Sequence, residues 1–171
     1  FLLQIGKSGE TGGSNDRVNL GRPAEFEVDS AANELYVADG CLNRRIIVFD
    51  ADSGQYKRHW GAYGRTPDDS PTPAYDPDAA PIGQFRNPVH SVRISSDGLV
   101  YVCDRVSCRI QTFHKDGTFI REYFIAPKTL GNGSCWALDF SADPAQSLIF
   151  VADGTNQRVW IARRTDMKVL G

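Results

Sequence analysis

The chain has 171 residues, 41% hydrophobic and 23% charged, with a formal net charge of −2. Those values are ordinary for a globular protein and supply neither the basic patch of a nucleic-acid binder nor an apolar run long enough to span a membrane. Four cysteines, Cys41, Cys103, Cys108 and Cys135, show no C-x-x-C spacing, which argues against a zinc knuckle or a dithiol redox motif.

The first segment, Phe1 to Ile5, is apolar and too short for a signal peptide. It reads as an outer strand of a neighbouring repeat unit, over residues 1–6. From residue 20 to 61 four strand patterns follow one another: Ala24 to Val28, Glu34 to Asp39, Arg45 to Phe49 and Gln55 to Trp60. They are separated by Asp29 to Asn33, Gly40 to Arg44 and Asp50 to Gly54, all rich in turn-forming residues.

Residues 62–84 break the pattern with five prolines and four aspartates. Proline at that density removes backbone donors and blocks both helix and strand. The expectation is a mobile, acidic connection, with Tyr63 and Tyr75 available to anchor it over a channel mouth. Its carboxylates allow calcium, although no EF-hand spacing is present.

Residues 85–125 repeat the four-strand pattern: Val89 to Ile94, Leu99 to Asp104, Arg109 to Phe113 and Thr118 to Phe124. A glycine-rich connection, Ala126 to Ser134, offers a weak backbone nest for an anion. Residues 134–171 repeat the pattern again: Cys135 to Phe140, Leu148 to Asp153, Arg158 to Ile161 and a short Lys168 to Leu170.

Each unit has an apolar second strand ending in Asp, a tight loop, an Arg, and an apolar third strand. Four antiparallel strands cannot cover both of their own faces, so such units stack as the blades of an all-β propeller. Three blades span half of a six-bladed ring. A second copy closing the ring, with Phe1 to Ile5 lying beside Val169 to Gly171, and a longer chain carrying the remaining blades are both open. The recurring Asp39–Arg45, Asp104–Arg109 and Asp153–Arg158 pairs fit bidentate structural bonds across each loop. Cys103 and Cys108 flank one such loop, and their state, bonded or free, is open, as is the redox compartment.

The strings Tyr36-Val37-Ala38-Asp39-Gly40 with Asn43-Arg44-Arg45-Ile46, and Val151-Ala152-Asp153-Gly154 with Asn156-Gln157-Arg158-Val159, resemble NHL repeats. The chain is similar to bacterial NHL proteins related to the lyase domain of peptidylglycine amidating enzymes. That resemblance implies a six-bladed propeller with zinc held by three channel histidines, cleaving peptidyl-hydroxyglycine to an amide and glyoxylate. It also allows a secreted or periplasmic location.

Carried over residue by residue, the resemblance places His90 at a zinc-ligand position and Arg105, after Asp104, at an active-site arginine. In Pro88-Val89-His90-Ser91 one extra residue separates Pro and His. Cys41 stands where the family has a tyrosine. The other inner-strand positions are Ala24 or Glu25 and Cys135 or Trp136, so no second zinc histidine appears. Tyr101 and Thr112 occupy the positions of one family disulfide.

His59, on an outer strand, and His114, at a strand end, read as surface histidines. The candidate ligand-binding residues are therefore His90, on an inner strand, and Arg105, Cys41, Asn43 and Asn156, on loops of one propeller face. Two functions are open. One is a non-catalytic module docking a peptide, carbohydrate or protein partner; the other is a zinc lyase.

Overall fold

The structure, a computed structural model, describes residues 3–170. Blade 1 comprises β1 (Glu25–Asp29), β2 (Glu34–Asp39), β3 (Arg45–Asp50) and β4 (Tyr56–Trp60). Blade 2 comprises β5 (Val89–Ile94), β6 (Val100–Asp104), β7 (Arg109–Phe113) and β8 (Phe119–Phe124). Blade 3 comprises β9 (Ala137–Phe140), β10 (Leu148–Asp153) and β11 (Arg158–Arg163). Every sheet is antiparallel, in chain order from inner to outer strand. The fourth strand expected in blade 3 is reduced to one bridge, Ala162 to Val169.

The apolar second and third strands of blades 1 and 2 are buried on both faces. Each lies in the middle of its sheet with a neighbouring layer on each face. In β6 and β7 every residue is buried. Tyr36, Ile46, Val48 and Trp60 of blade 1 pack against Phe85, Val92, Val102 and Phe113 of blade 2. On the opposite face of blade 2, Tyr101, Cys103 and Ile110 pack against Leu138, Ile149 and Val151 of blade 3. Burial of an aliphatic or aromatic side chain of this kind contributes about 1.5–3 kcal/mol.

The blades approach so closely that glycine is needed at the junctions. A Cβ on Gly40 would lie 2.0 Å from the Val89 carbonyl oxygen, and one on Gly133 would lie 1.9 Å from that of Arg105.

The expected Asp–Arg bonds form in two blades of three. Asp39 and Arg45 are both fully buried, 2.8 Å apart, and Asp104 and Arg109 likewise meet at 2.8 Å. Each arginine also donates to carbonyls of the connection leading into its own blade. Arg45 reaches Ser14, Asp16 and Asn19, and Arg109 reaches Ile82 and Gln84. Arg44 serves elsewhere, donating to Asn87 and Ser70.

Asp153 and Arg158 do not pair, which corrects the third assignment. The Trp160 indole N–H takes the place of the guanidinium on Asp153, at 2.8 Å. Arg158 is exposed and lies over the Trp160 ring. The connection into blade 3 is shorter than that into blade 2, and its Thr129 accepts from Asn156 instead of presenting carbonyls to Arg158.

Three further expectations change. Phe1 and Leu2 of the expected first strand lie outside the described residues. Leu3 to Ile5 form no strand, and Ile5 packs on the outer face of blade 1 with Val37, Ile47 and Phe49. Residues 62–84 are pinned at several points rather than free. Asp69 accepts from the Ser14 backbone and hydroxyl, and Arg86 donates to the Pro73 carbonyl.

Tyr63 donates to Glu122, and Tyr75 to the Pro127 carbonyl at 2.7 Å. These tyrosines anchor the segment on blade 2 and on the connection to blade 3. All four cysteines are free thiols, so Cys103 and Cys108 are not bonded. Among the described residues no helix is long and apolar enough to cross a membrane.

Candidate functional site at the inner rim

His90 sits at the start of the inner strand of blade 2. Pairing of β5 with β6 runs Val89 to Asp104 and then Ser91 to Cys103, so His90 is the unpaired residue of a bulge. The extra residue between Pro88 and His90 is absorbed there. A bulge frees one residue from the ladder and re-aims its side chain. The His90 ring turns toward blade 3, where Nδ1 lies 2.5 Å from the Trp136 carbonyl oxygen. The two rings meet edge to face at 5.5 Å.

A carbonyl can only accept, so His90 Nδ1 carries a proton, and in the neutral ring Nε2 keeps its lone pair. Burial pushes the His90 pKa down, reinforced by the nearby Arg105 charge, while the Trp136 carbonyl and Glu25 pull the other way. That downward shift favours the neutral ring.

Arg105, immediately after β6, lies over the Trp136 ring at 4.4 Å. Burial lowers its pKa, and Cys41 is near enough to act on its charge. Its Nε is buried and has no hydrogen-bond partner among the described residues. Cys41 follows Gly40 at the end of β2 and is exposed. Glu25 begins the inner strand of blade 1, held by Arg93 at 2.7 Å and by the Val92 N–H at 3.2 Å.

His90 and Arg105 thus meet on one rim with Trp136 as its aromatic floor, and Cys41 lies at the end of β2 in the neighbouring blade. Asn43 and Asn156 do not join them. Asn43 is 1% exposed and donates to Asp39, and Asn156 donates to Asp153 and Thr129. Both amides brace the loop aspartates. The sequence marked Trp136 only as an inner-strand position. Its one signal was that it stands where blade 2 has His90.

Among the described residues no group of three His, Cys, Asp or Glu is arranged to hold a metal ion. Catalytic zinc takes three protein ligands and an open position. His90 supplies one, so the residues of this chain do not by themselves fit a zinc centre.

Three stacked antiparallel blades, each with an Asp-capped second strand and a tight loop to the third, define an NHL-type β-propeller. The comparisons agree, and the chain is an NHL-repeat propeller protein related to the peptidylglycine alpha-amidating monooxygenases. It is 34% identical over 122 residues to peptidyl-glycine alpha-amidating monooxygenase B of Xenopus laevis, covering 71% of this chain and 12% of that protein. It is 33% identical over 118 residues to human NHL repeat-containing protein 3, covering 67% of this chain and 29% of that protein.

The chain therefore spans a small part of the curated relatives it matches. No protein-family model matches it. Among solved structures, Kuenenia stuttgartiensis hydrazine synthase aligns with a TM-score of 0.60 at 13% identity, covering 95% of this chain and 38% of that one. The Neurospora crassa Pan2 WD40 domain aligns at 0.57 and 12%, covering 88% and 37%. At those identities the likeness speaks for the propeller fold alone.

Proposed function

We propose that this chain is a propeller binding module that docks a peptide at the rim formed by His90, Arg105, Trp136 and Cys41. The unpartnered Arg105 Nε, held against Trp136, carries this reading. A buried guanidinium N–H without an acceptor is costly, and a peptide carboxylate would complete it through a charge-assisted bond. The Trp136 face supplies apolar contact for the adjoining residue. The relatives whose names refer to peptidyl-glycine make a peptide the first ligand class to try.

Titration calorimetry with a short peptide ending in a free glycine carboxylate, set against its amide, tests the proposal. The free acid is expected to bind more tightly, and Arg105→Ala to abolish the difference. Equal binding of acid and amide would refute it.

One observation favours a second reading, a zinc-dependent lyase-like enzyme. His90 donates through Nδ1 to a backbone carbonyl, leaving Nε2 oriented as metal-ligating histidines commonly are. Further blades would have to supply the remaining ligands. Near-stoichiometric zinc in purified protein, lost in His90→Ala, would support that enzyme over the binding module.

We also infer that the outer faces of blades 1 and 3 meet further blades, from a second copy or from the same chain extended. Phe26, Val28, Val159 and Leu170 are exposed there.

A further inference from the structure

We propose that the cleft between the proline-rich segment and blade 2 binds a small organic carboxylate with an apolar or aromatic body. This site is separate from the inner rim and does not depend on the peptide reading. The cleft has a volume of about 700 Å³ and is lined by Tyr75, Ala80, Ile82, Arg86, Ser107 and Phe124, among others. That volume falls within the usual range for ligand clefts, and so does a largely apolar wall with a few convergent polar groups.

One of those polar groups keeps an unused donor. Arg86 is 8% exposed, and its Nη atoms donate to the Pro73 and Ala74 carbonyls, but its Nε is buried with no acceptor among the described residues. Ser107 is 4% exposed, and its hydroxyl lies beside the Asp104 carboxylate, whose charge it helps to hold.

The charge points the same way. Arg109, at the back of the cleft, is balanced by Asp104 at 2.8 Å and Glu122 at 3.2 Å. The Arg86 guanidinium is bonded only to neutral carbonyls, so it is a buried cation without a counter-ion within bonding distance. Burying a charge unpaired is unfavourable, and an arriving carboxylate would relieve it at the Arg86 guanidinium.

Asp76, the acidic residue of the lining, is exposed at the rim. The Tyr75 ring lies under the Arg86 guanidinium at 5.7 Å, and its hydroxyl is tied to Pro127, which holds the roof in place. The proline rings, Ile82 and Phe124 leave room for an apolar body rather than a bare inorganic anion.

Phenylacetate and phenylacetamide distinguish the two halves of the claim, read by titration calorimetry on the full chain. Phenylacetate is expected to bind with millimolar or better affinity, about tenfold more tightly than the neutral amide. Arg86→Gln should bring the two to equality. Because that variant also loses bonds to the segment, Ala80→Trp provides an independent check. It fills the cleft from an exposed position and should abolish binding while leaving the circular dichroism unchanged.

Arg105→Ala, on the inner rim, should leave phenylacetate binding intact. Equal affinity for acid and amide in the parent protein, absence of binding by both, or binding that survives Ala80→Trp would each overturn the proposal. Loss of binding in Arg105→Ala would do so too, since the acid would then sit at the rim.

Discussion

At the scale of single residues, the loop aspartates show how one motif has unequal consequences. Asp104 is fully buried between Arg109 and the Arg86 backbone N–H, 3.1 Å away. Burial pushes its carboxyl up, against the pull of Arg109. Removing it strands a buried guanidinium, so Asp104→Ala is expected to cost about 3–5 kcal/mol of stability. Asp153 holds only neutral donors, Trp160 and Asn156, and Asp153→Ala should cost about 1–3 kcal/mol. Urea unfolding of the two variants compares them directly, and equal losses would contradict the assignment.

Glu34 provides the pH dependence. Arg58, Tyr36 and Lys57 converge on it, and the Arg58 hydrogen bonds chiefly lower its pKa from 4.5 to about 2. A carboxyl depressed in the folded state binds fewer protons there than in the unfolded chain. Its contribution is therefore complete above about pH 4.5 and is lost as the pH falls toward 2. Stability measured across that window should decline, and in Glu34→Gln, which cannot titrate, the decline should be shallower.

At the scale of elements, the proline-rich segment and the blade junctions behave differently from what composition alone implies. Five prolines exclude strand and helix, but the segment is held by Asp69, Tyr63 and Tyr75. Tyr75→Phe removes one of these ties without changing the ring. Limited proteolysis should then nick residues 74–81 several-fold faster than in the parent protein, with the blade turns still resistant. The junction at Gly40 tolerates no side chain, because the Val89 backbone occupies that space. Gly40→Ala must push blades 1 and 2 apart and is expected to cost more than about 3 kcal/mol, in the range of severe overpacking. Thermal unfolding reads that loss.

At the scale of the whole molecule, two inter-blade cores are closed and the outer faces of blades 1 and 3 are only partly covered. Phe26 is 63% exposed and Val159 57%, values at odds with strands whose counterparts elsewhere are buried. Apolar surface of this kind usually marks an interface. The 18.9-kDa chain alone is expected to associate at micromolar concentration, with an unfolding midpoint that rises with concentration. Sedimentation equilibrium tests this. A monomer whose unfolding is independent of concentration would contradict it. In the single chain, Ile5 of the first segment packs on blade 1.

The repeat, its strand order and the burial of β2, β3, β6 and β7 were legible in the sequence. Alternating turn residues and continuous apolar runs are local signals, and three repetitions make them self-consistent. The Asp–Arg bonds were legible where the chain supplies carbonyls to complete the guanidinium, as it does for Arg45 and Arg109. Arg158 failed because its partners depend on the length of a distant connection and on Trp160, neither of which the motif encodes.

The site followed the same division. His90 and Arg105 could be located from their neighbours in sequence, but Asn43 and Asn156 turned inward to brace aspartates. Trp136 and Arg86 gained their roles only through packing between segments far apart in the chain. Patterns of period two and recurring turns are written in consecutive residues, so the sequence alone determines the blades. Which side chain meets which across a blade junction depends on how sheets stack, and only the tertiary structure decided that.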